Sequence, residues 1–101
     1  MSFASAAAIR QSLQKPSTIL IDVRTTLEVW MSGKIEVEGH KWYQSSMVSS
    51  LVRDDWDRDA DIIVYCASGA RSAIAKNTLE GMGFKNVLNG GGYYDMKDMG
   101  F

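Results

Sequence analysis

One stretch of the sequence combines a nucleophile with groups that bind anions. Cys66 opens a run of six small or basic residues: Ala67, Ser68, Gly69, Ala70, Arg71 and Ser72. Small residues and a glycine allow backbone N–H groups to turn inward around one centre, where they bind an anion. Such a centre favours the thiolate, which is the nucleophilic form of cysteine. The run therefore predicts a loop that activates Cys66.

Arg71 adds a permanent positive charge at the end of this run. Its guanidinium is a planar fork of donors that suits an oxyanion. Two roles follow from this chemistry: Arg71 holds the oxyanion end of a substrate, or it braces the loop. The sequence leaves both open.

The flanking residues place the run between a strand and a helix. The apolar run 62–65 is typical of a strand buried on both faces of a parallel sheet. Beyond the loop, Ala75, Leu79 and Met82 form one helical stripe, and Gly83 follows where a helix cap is expected. Ligands of open α/β sheets bind at such junctions.

This placement predicts a lowered pKa for the Cys66 thiol, because a helix N-terminus and loop amides favour the thiolate. We expect the loop to stay open to an incoming substrate. The competing interpretation is a buried structural cysteine, whose pKa desolvation would raise.

The rest of the chain alternates between short strands and helices. Further strands are predicted over 18–21, 41–43 and 86–88, and helices around Ile9 and Leu13, over 26–32 and over 47–52, the last capped by Ser45 or Ser46. Gly90 to Gly92 is predicted to form a turn. This alternation predicts an α/β domain with a largely parallel sheet covered by helices on both faces.

Four polar residues outside the loop are candidates for supporting roles. Asp22 ends a predicted strand and either belongs to the site or connects neighbouring loops through hydrogen bonds; the connector is favoured. Arg24 and Glu28 are four residues apart and predict an ion pair at a helix start. His40 is the single histidine, and a structural role is favoured over that of a base.

Three segments together resemble the single-domain rhodaneses, a sulfurtransferase family, and most closely the small phage-shock type. They are Tyr65–Ala73, Ile21–Arg24 followed by Glu28, and Gly83–Val87 with Asn89–Gly92. The resemblance covers roughly residues 17 to 95 in the family's order. It implies a three-layer domain with a five-stranded sheet. The segment Gly33–His40 departs from the Gly-His-Ile-Pro-Gly-Ala pattern of the family.

The resemblance also implies an activity. Cys66 would take a sulfur atom from a small anionic donor such as thiosulfate, carry it as a persulfide, and pass it to cyanide, a thiol or a sulfur-carrier protein. Residues 67–72 would bind the donor, Asp22, Arg24 and Glu28 would support the loop, and no cofactor would be needed.

Two alternatives remain. A sulfur-relay module would pass the sulfur on without steady-state turnover. A cysteine phosphatase or arsenate reductase would also use Cys66 and Arg71, but those loops place five residues between the two, whereas four intervene here.

Composition narrows the class of protein further. The 101 residues suffice for one domain, 1–101, and a net charge of −1 gives no argument for binding nucleic acid or a membrane surface. One cysteine cannot form an intrachain disulfide, and one cysteine with one histidine argues against a metal site. A reduced thiol suits the cytoplasm. No leader pattern precedes residue 13, although a signal removed earlier would allow a periplasmic location.

Overall fold

The computed structural model describes residues 3–101 as a parallel sheet with helices. Its strands are β1 Ile19–Asp22, β2 Lys41–Gln44, β3 Asp61–Cys66 and β4 Asn86–Gly92. Its helices are α1 Ala6–Leu13, α2 Thr26–Ser32, α3 Val48–Leu51, α4 Ala70–Gly81 and α5 Tyr93–Asp98. The predicted alternation of strands and helices is confirmed.

The strand order β2-β1-β3-β4 places the loops after β1 and β3 side by side. All three neighbouring pairs are parallel, and Ile21 of β1 lies opposite Val64 of β3. The chain continues from β1 to one edge of the sheet and from β3 to the other. That reversal forms the crevice in which open α/β sheets bind ligands.

Side chains of β3 alternate between two hydrophobic cores, one on each face of the sheet. Ile62 and Val64 pack in the core that includes Ala75 and Leu79 of α4. Ile63 and Tyr65 pack in the other, whose members are Ile9, Leu20, Ile35, Ile63, Tyr65, Tyr93 and Met96. Strands buried on both faces are typical of a three-layer α/β fold, as expected.

The expected fifth strand is absent from the described residues. The segment before α1 lies beside β4, but its one backbone hydrogen bond to that strand runs from Ala4 N to Asn89 O at 2.8 Å. A ladder requires a repeating series of such bonds. The expectation of five strands came from the family resemblance, whereas the residue patterns predicted the four strands that form.

Two local predictions were also wrong. Gly90 to Gly92 belong to β4 and do not form a turn. Neither Ser45 nor Ser46 caps α3, because Met47 occupies the cap position and makes no side-chain cap bond. The Ser45 hydroxyl instead accepts a hydrogen bond from Met47 N at 3.1 Å, within the turn before the helix.

No helix over residues 3–101 has both the length and the apolar character needed to cross a membrane.

Candidate active site

Cys66 is the last residue of β3, and its sulfur faces hydrogen-bond donors from the next turn of chain. The N–H of Gly69 donates to Cys66 Sγ at 2.9 Å, and Ser72 Oγ lies 3.4 Å from the same sulfur. Ala70 begins α4, so Gly69 and Ser72 flank the N-terminus of that helix. The predicted strand–loop–helix arrangement around Cys66 is confirmed.

Two opposing effects act on the pKa of the Cys66 thiol. Burial raises it, because a charged sulfur loses its hydration. Hydrogen bonds from the Ser72 hydroxyl and from the N–H groups of Ser72, Ser68 and Gly69 lower it, and together they outweigh burial. The net shift is downward, so the donors favour the thiolate.

The loop is closed over the thiol, contrary to the expectation that it stays open. Cys66 has 0% of its surface exposed. Ala67, Ser68 and Ala70 are exposed and form the outer surface of the loop, while Gly69 and Ser72 are buried beneath it. The loop encloses the sulfur because its backbone must lie close to Cys66 for its N–H groups to form hydrogen bonds with it.

Glycines of β4 allow this strand to lie directly against the loop. A Cβ on Gly92 would overlap the carbonyl oxygen of Ala67. Gly91 has a φ of 83°, in the left-handed region that favours glycine. Between Val64 and Cys66 of β3 the register advances from Asn89 to Gly92, which is one extra residue in β4. Such β-bulges re-aim backbone beside functional sites.

Asn89 of β4 is a loop contact that the sequence did not reveal. Its side chain is buried and accepts hydrogen bonds from Ser72 Oγ at 2.7 Å and Gly91 N at 2.9 Å. It also donates to the carbonyl of Gly69 at 3.3 Å. The available signal was a polar residue inside a buried strand, which needs partners.

Arg71 is paired with Glu28 of α2. The two terminal guanidinium nitrogens donate to the two carboxylate oxygens, each at 2.8 Å. This hydrogen-bonded pairing lowers the pKa of Glu28 to about 2 and raises that of Arg71. The ion pair joins the first turn of α4 to α2, which is a contact that the bracing role would use.

The predicted Arg24–Glu28 pair is therefore wrong. Arg24 is buried and donates to both carboxylate oxygens of Asp22, with Nη2 to Oδ2 at 2.7 Å. Arg24 also donates to Ser32 Oγ and to the carbonyl of Gly33. A four-residue spacing favours pairing only where both residues lie on one helix, and Arg24 precedes α2.

Asp22 has the connector arrangement that was favoured over a direct part in the site. Besides the Arg24 guanidinium, it binds the backbone N–H of Arg24 at 2.9 Å. The guanidinium carbon of Arg24 lies 4.5 Å from the centre of the Tyr93 ring, a cation–π contact. The pair thus fixes the loop after β1 against α5.

His40 lies apart from the loop. Its two ring nitrogens face the carbonyl oxygens of Thr18 at 3.0 Å and Leu13 at 2.8 Å. These contacts join the start of β2 to the chain between α1 and β1, in line with the structural role favoured for His40.

A pocket of about 200 Å³ adjoins the exposed side of the loop. It is lined by Arg24, Glu28, Met31, Ser32, Ala67, Tyr93 and Tyr94. A small anion or thiol compound fits this volume. Arg71 lines a different pocket, of about 270 Å³.

A known family matches nearly the whole length of this chain. The family model described as the rhodanese-like domain matches residues 5–98. The chain belongs to this family.

Two solved structures resemble this chain in fold at low sequence identity. A rhodanese-like domain protein from Staphylococcus aureus superposes with a TM-score of 0.67 at 22% identity, covering 94% of this chain and 90% of that one. A Rhodopseudomonas palustris protein of unknown function, described as a possible tyrosine phosphatase, gives 0.69 at 26% identity, covering 94% and 76%.

One relative carries the name of an enzyme with a different reaction. The tRNA uridine(34) hydroxylase of Photorhabdus laumondii subsp. laumondii is 30% identical over 91 residues. The match covers 86% of this chain and 25% of that enzyme. Three quarters of the enzyme's length thus lies outside the match.

Proposed function

We propose that the chain is a sulfurtransferase in which Cys66 carries a sulfur atom as a persulfide. The observation that carries the proposal is the polar surroundings of Cys66 Sγ: the N–H of Gly69 donates to it at 2.9 Å, and the Ser72 hydroxyl lies 3.4 Å away. Such donors stabilise an anionic sulfur, and a thiolate and a persulfide are both anionic sulfur species.

The proposed reaction has two displacement steps. The Cys66 thiolate attacks the outer sulfur of a donor, for example thiosulfate, and forms a new S–S bond. The old S–S bond breaks, and its electron pair leaves with sulfite. A thiophilic acceptor, such as cyanide, a thiol or a carrier protein, then attacks the terminal persulfide sulfur and restores the Cys66 thiolate.

Donor access requires a movement of the loop, because Cys66 is closed off in the resting protein. The pocket beside Ala67 is where we place the waiting donor. The exposed residues Ala67, Ser68 and Ala70 would move aside, while Ser72 stays fixed by Asn89. The reduced thiol suits the cytoplasm, where we place the reaction.

Phosphatase chemistry is the weaker enzymatic candidate. The Rhodopseudomonas neighbour is described as a possible tyrosine phosphatase, and both chemistries use a cysteine and an arginine. Here four residues separate Cys66 from Arg71, and the Arg71 guanidinium is engaged by Glu28. Both features favour a single sulfur atom over a phosphoryl group with three oxygens to bind.

The hydroxylation named for the Photorhabdus relative is not carried over to this chain. The chain covers 25% of that enzyme, and the group that the loop activates is a sulfur nucleophile.

Steady-state turnover with thiosulfate and cyanide tests the proposal. We expect thiocyanate formation that depends on protein concentration and disappears in Cys66→Ser. A phosphatase assay with an aryl phosphate, run beside it, should give no product. Phosphate release without thiocyanate would favour the phosphatase, and a single turnover that then stops would favour a sulfur relay.

A further inference from the structure

The charge of Arg71 is cancelled at short range. Glu28 engages both terminal nitrogens of the guanidinium at 2.8 Å. A guanidinium bound in this way offers its remaining N–H groups but little net positive potential, because the carboxylate lies against it. An incoming anion would meet both charges of the pair.

Glu28 is itself fixed in place. Its Oε1 accepts hydrogen bonds from Thr25 N at 2.9 Å and Thr25 Oγ1 at 3.1 Å, which form the capping box of α2. With its pKa near 2, Glu28 stays ionised at neutral pH. Moving Glu28 away from Arg71 would therefore break the helix cap as well as the ion pair.

The arginine that lines the pocket beside Ala67 is neutralised in the same way. Arg24 lines the pocket beside Ala67, but it is bound to the buried carboxylate of Asp22. The same pocket has large exposed apolar side chains on its wall, with Met31 73% and Tyr94 68% exposed. The wall thus combines compensated charges with apolar surface.

We propose that Glu28 is a specificity-determining residue that selects the charge of the sulfur donor. By neutralising Arg71, Glu28 disfavours donors with two negative charges, such as thiosulfate, and leaves the site to persulfides of organic thiols. This inference rests on the proposed sulfur transfer. The corresponding loading step is balanced: the Cys66 thiolate takes the terminal sulfur of a persulfide R–S–SH with its proton, and the thiolate R–S⁻ leaves.

The test compares two donors on wild type and Glu28→Gln. Glutamine keeps an oxygen for the capping box and for Arg71 but removes the negative charge. The rate of Cys66 sulfuration is followed by quenched intact mass spectrometry, with thiosulfate and with the persulfide of N-acetylcysteine methyl ester, whose organic part is uncharged.

We expect wild type to load faster from the persulfide. In Glu28→Gln the thiosulfate rate should rise about three- to tenfold at low salt, because one unit charge near a dianion is removed. The persulfide rate should rise by at most about threefold, since that donor carries at most one charge. Glu80→Gln is the matched control, because it makes the same change of charge at the far end of α4, and it should change neither rate.

A thiosulfate rate that is unchanged or lower in Glu28→Gln, with wild-type melting, would overturn the inference and leave sulfur transfer intact. If neither donor loaded wild type, the proposed function would fail and the inference with it.

Wild type also offers a test that needs no variant. Its thiosulfate rate should be nearly independent of ionic strength between about 20 and 200 mM, since Arg24 and Arg71 are both paired with carboxylates. A steep decrease with salt would show that Arg71 acts as a free cation, and would overturn the inference.

Discussion

At the scale of single residues, Cys66 depends on a short list of donors. The Gly69 N–H and the Ser72 hydroxyl contact the sulfur, and Asn89 forms a hydrogen bond with Ser72. The Ser72 hydroxyl has one proton and two nearby acceptors, the Cys66 sulfur and Asn89 Oδ1. When the sulfur is a thiolate, a hydrogen bond to it is stronger than one to the neutral amide oxygen, so we expect the proton to point toward the sulfur.

Replacing Ser72 tests this arrangement. Ser72→Ala removes one donor from the thiolate, so the pKa of Cys66 should rise and the alkylation rate by iodoacetamide should reach its plateau at a higher pH. In wild type the midpoint should lie below that of free cysteine, about 8.5.

Ser68→Ala is the matched control within the same loop. Ser68 lowers the pKa through its backbone N–H, which alanine retains. The pH midpoint of alkylation of Ser68→Ala should therefore equal that of wild type. A Ser72→Ala midpoint equal to that of wild type would show that the hydroxyl does not stabilise the thiolate.

At the scale of elements, the site forms where β4 packs against the loop after β3. The bulge at Asn89–Gly92 and the missing side chain of Gly92 bring β4 against the Ala67 carbonyl. The loop thus packs closely on β4, and the proposed reaction requires its outer residues to move for a donor.

Gly92→Ala tests the role of this floor. The added methyl group would overlap the Ala67 carbonyl, so the backbone of the loop would have to shift to make room for it. We expect a loss of sulfuration of at least about tenfold and a destabilisation of about 1–3 kcal/mol, measured by urea unfolding. Gly81→Ala serves as the control.

Gly81 lies at the end of α4 with nothing within 4 Å of an added Cβ. Alanine there should stabilise the protein by up to about 1 kcal/mol and leave sulfuration unchanged. Equal behaviour of the two variants would contradict the close packing of β4 on the loop.

The local parts of the site could be predicted from the sequence, and the long-range parts could not. The run from Cys66 to Ser72, the strand before it and α4 after it are set by adjacent residues. The partner of Arg71 lies 43 residues away, and sequence spacing favoured Arg24 for Glu28 instead. Similarly, the role of Asn89 depends on a one-residue shift of register that no local pattern encodes.

At the scale of the whole molecule, two arginines that look alike in the sequence do different work. Arg24 is buried against Asp22, while Arg71 is 44% exposed against Glu28. Removing one partner of a buried pair leaves an uncompensated charge, whereas an exposed pair contributes little to stability.

The alanine variants of these two arginines should therefore differ in their free energy of unfolding. Arg24→Ala should lower the free energy of unfolding by about 3–5 kcal/mol, and Arg71→Ala by at most about 1 kcal/mol. Urea unfolding at neutral pH measures both. A loss below about 1 kcal/mol for Arg24→Ala would contradict the structural role of the Asp22–Arg24 pair.

Intact mass spectrometry of the protein after brief exposure to a sulfur donor tests the central claim most directly. With thiosulfate or an organic persulfide, wild type should gain the mass of one sulfur atom. Cyanide should then remove that sulfur as thiocyanate, and Cys66→Ser should gain nothing. A wild-type protein that gains no sulfur from either donor, or a Cys66→Ser variant that gains the same adduct, would contradict the account.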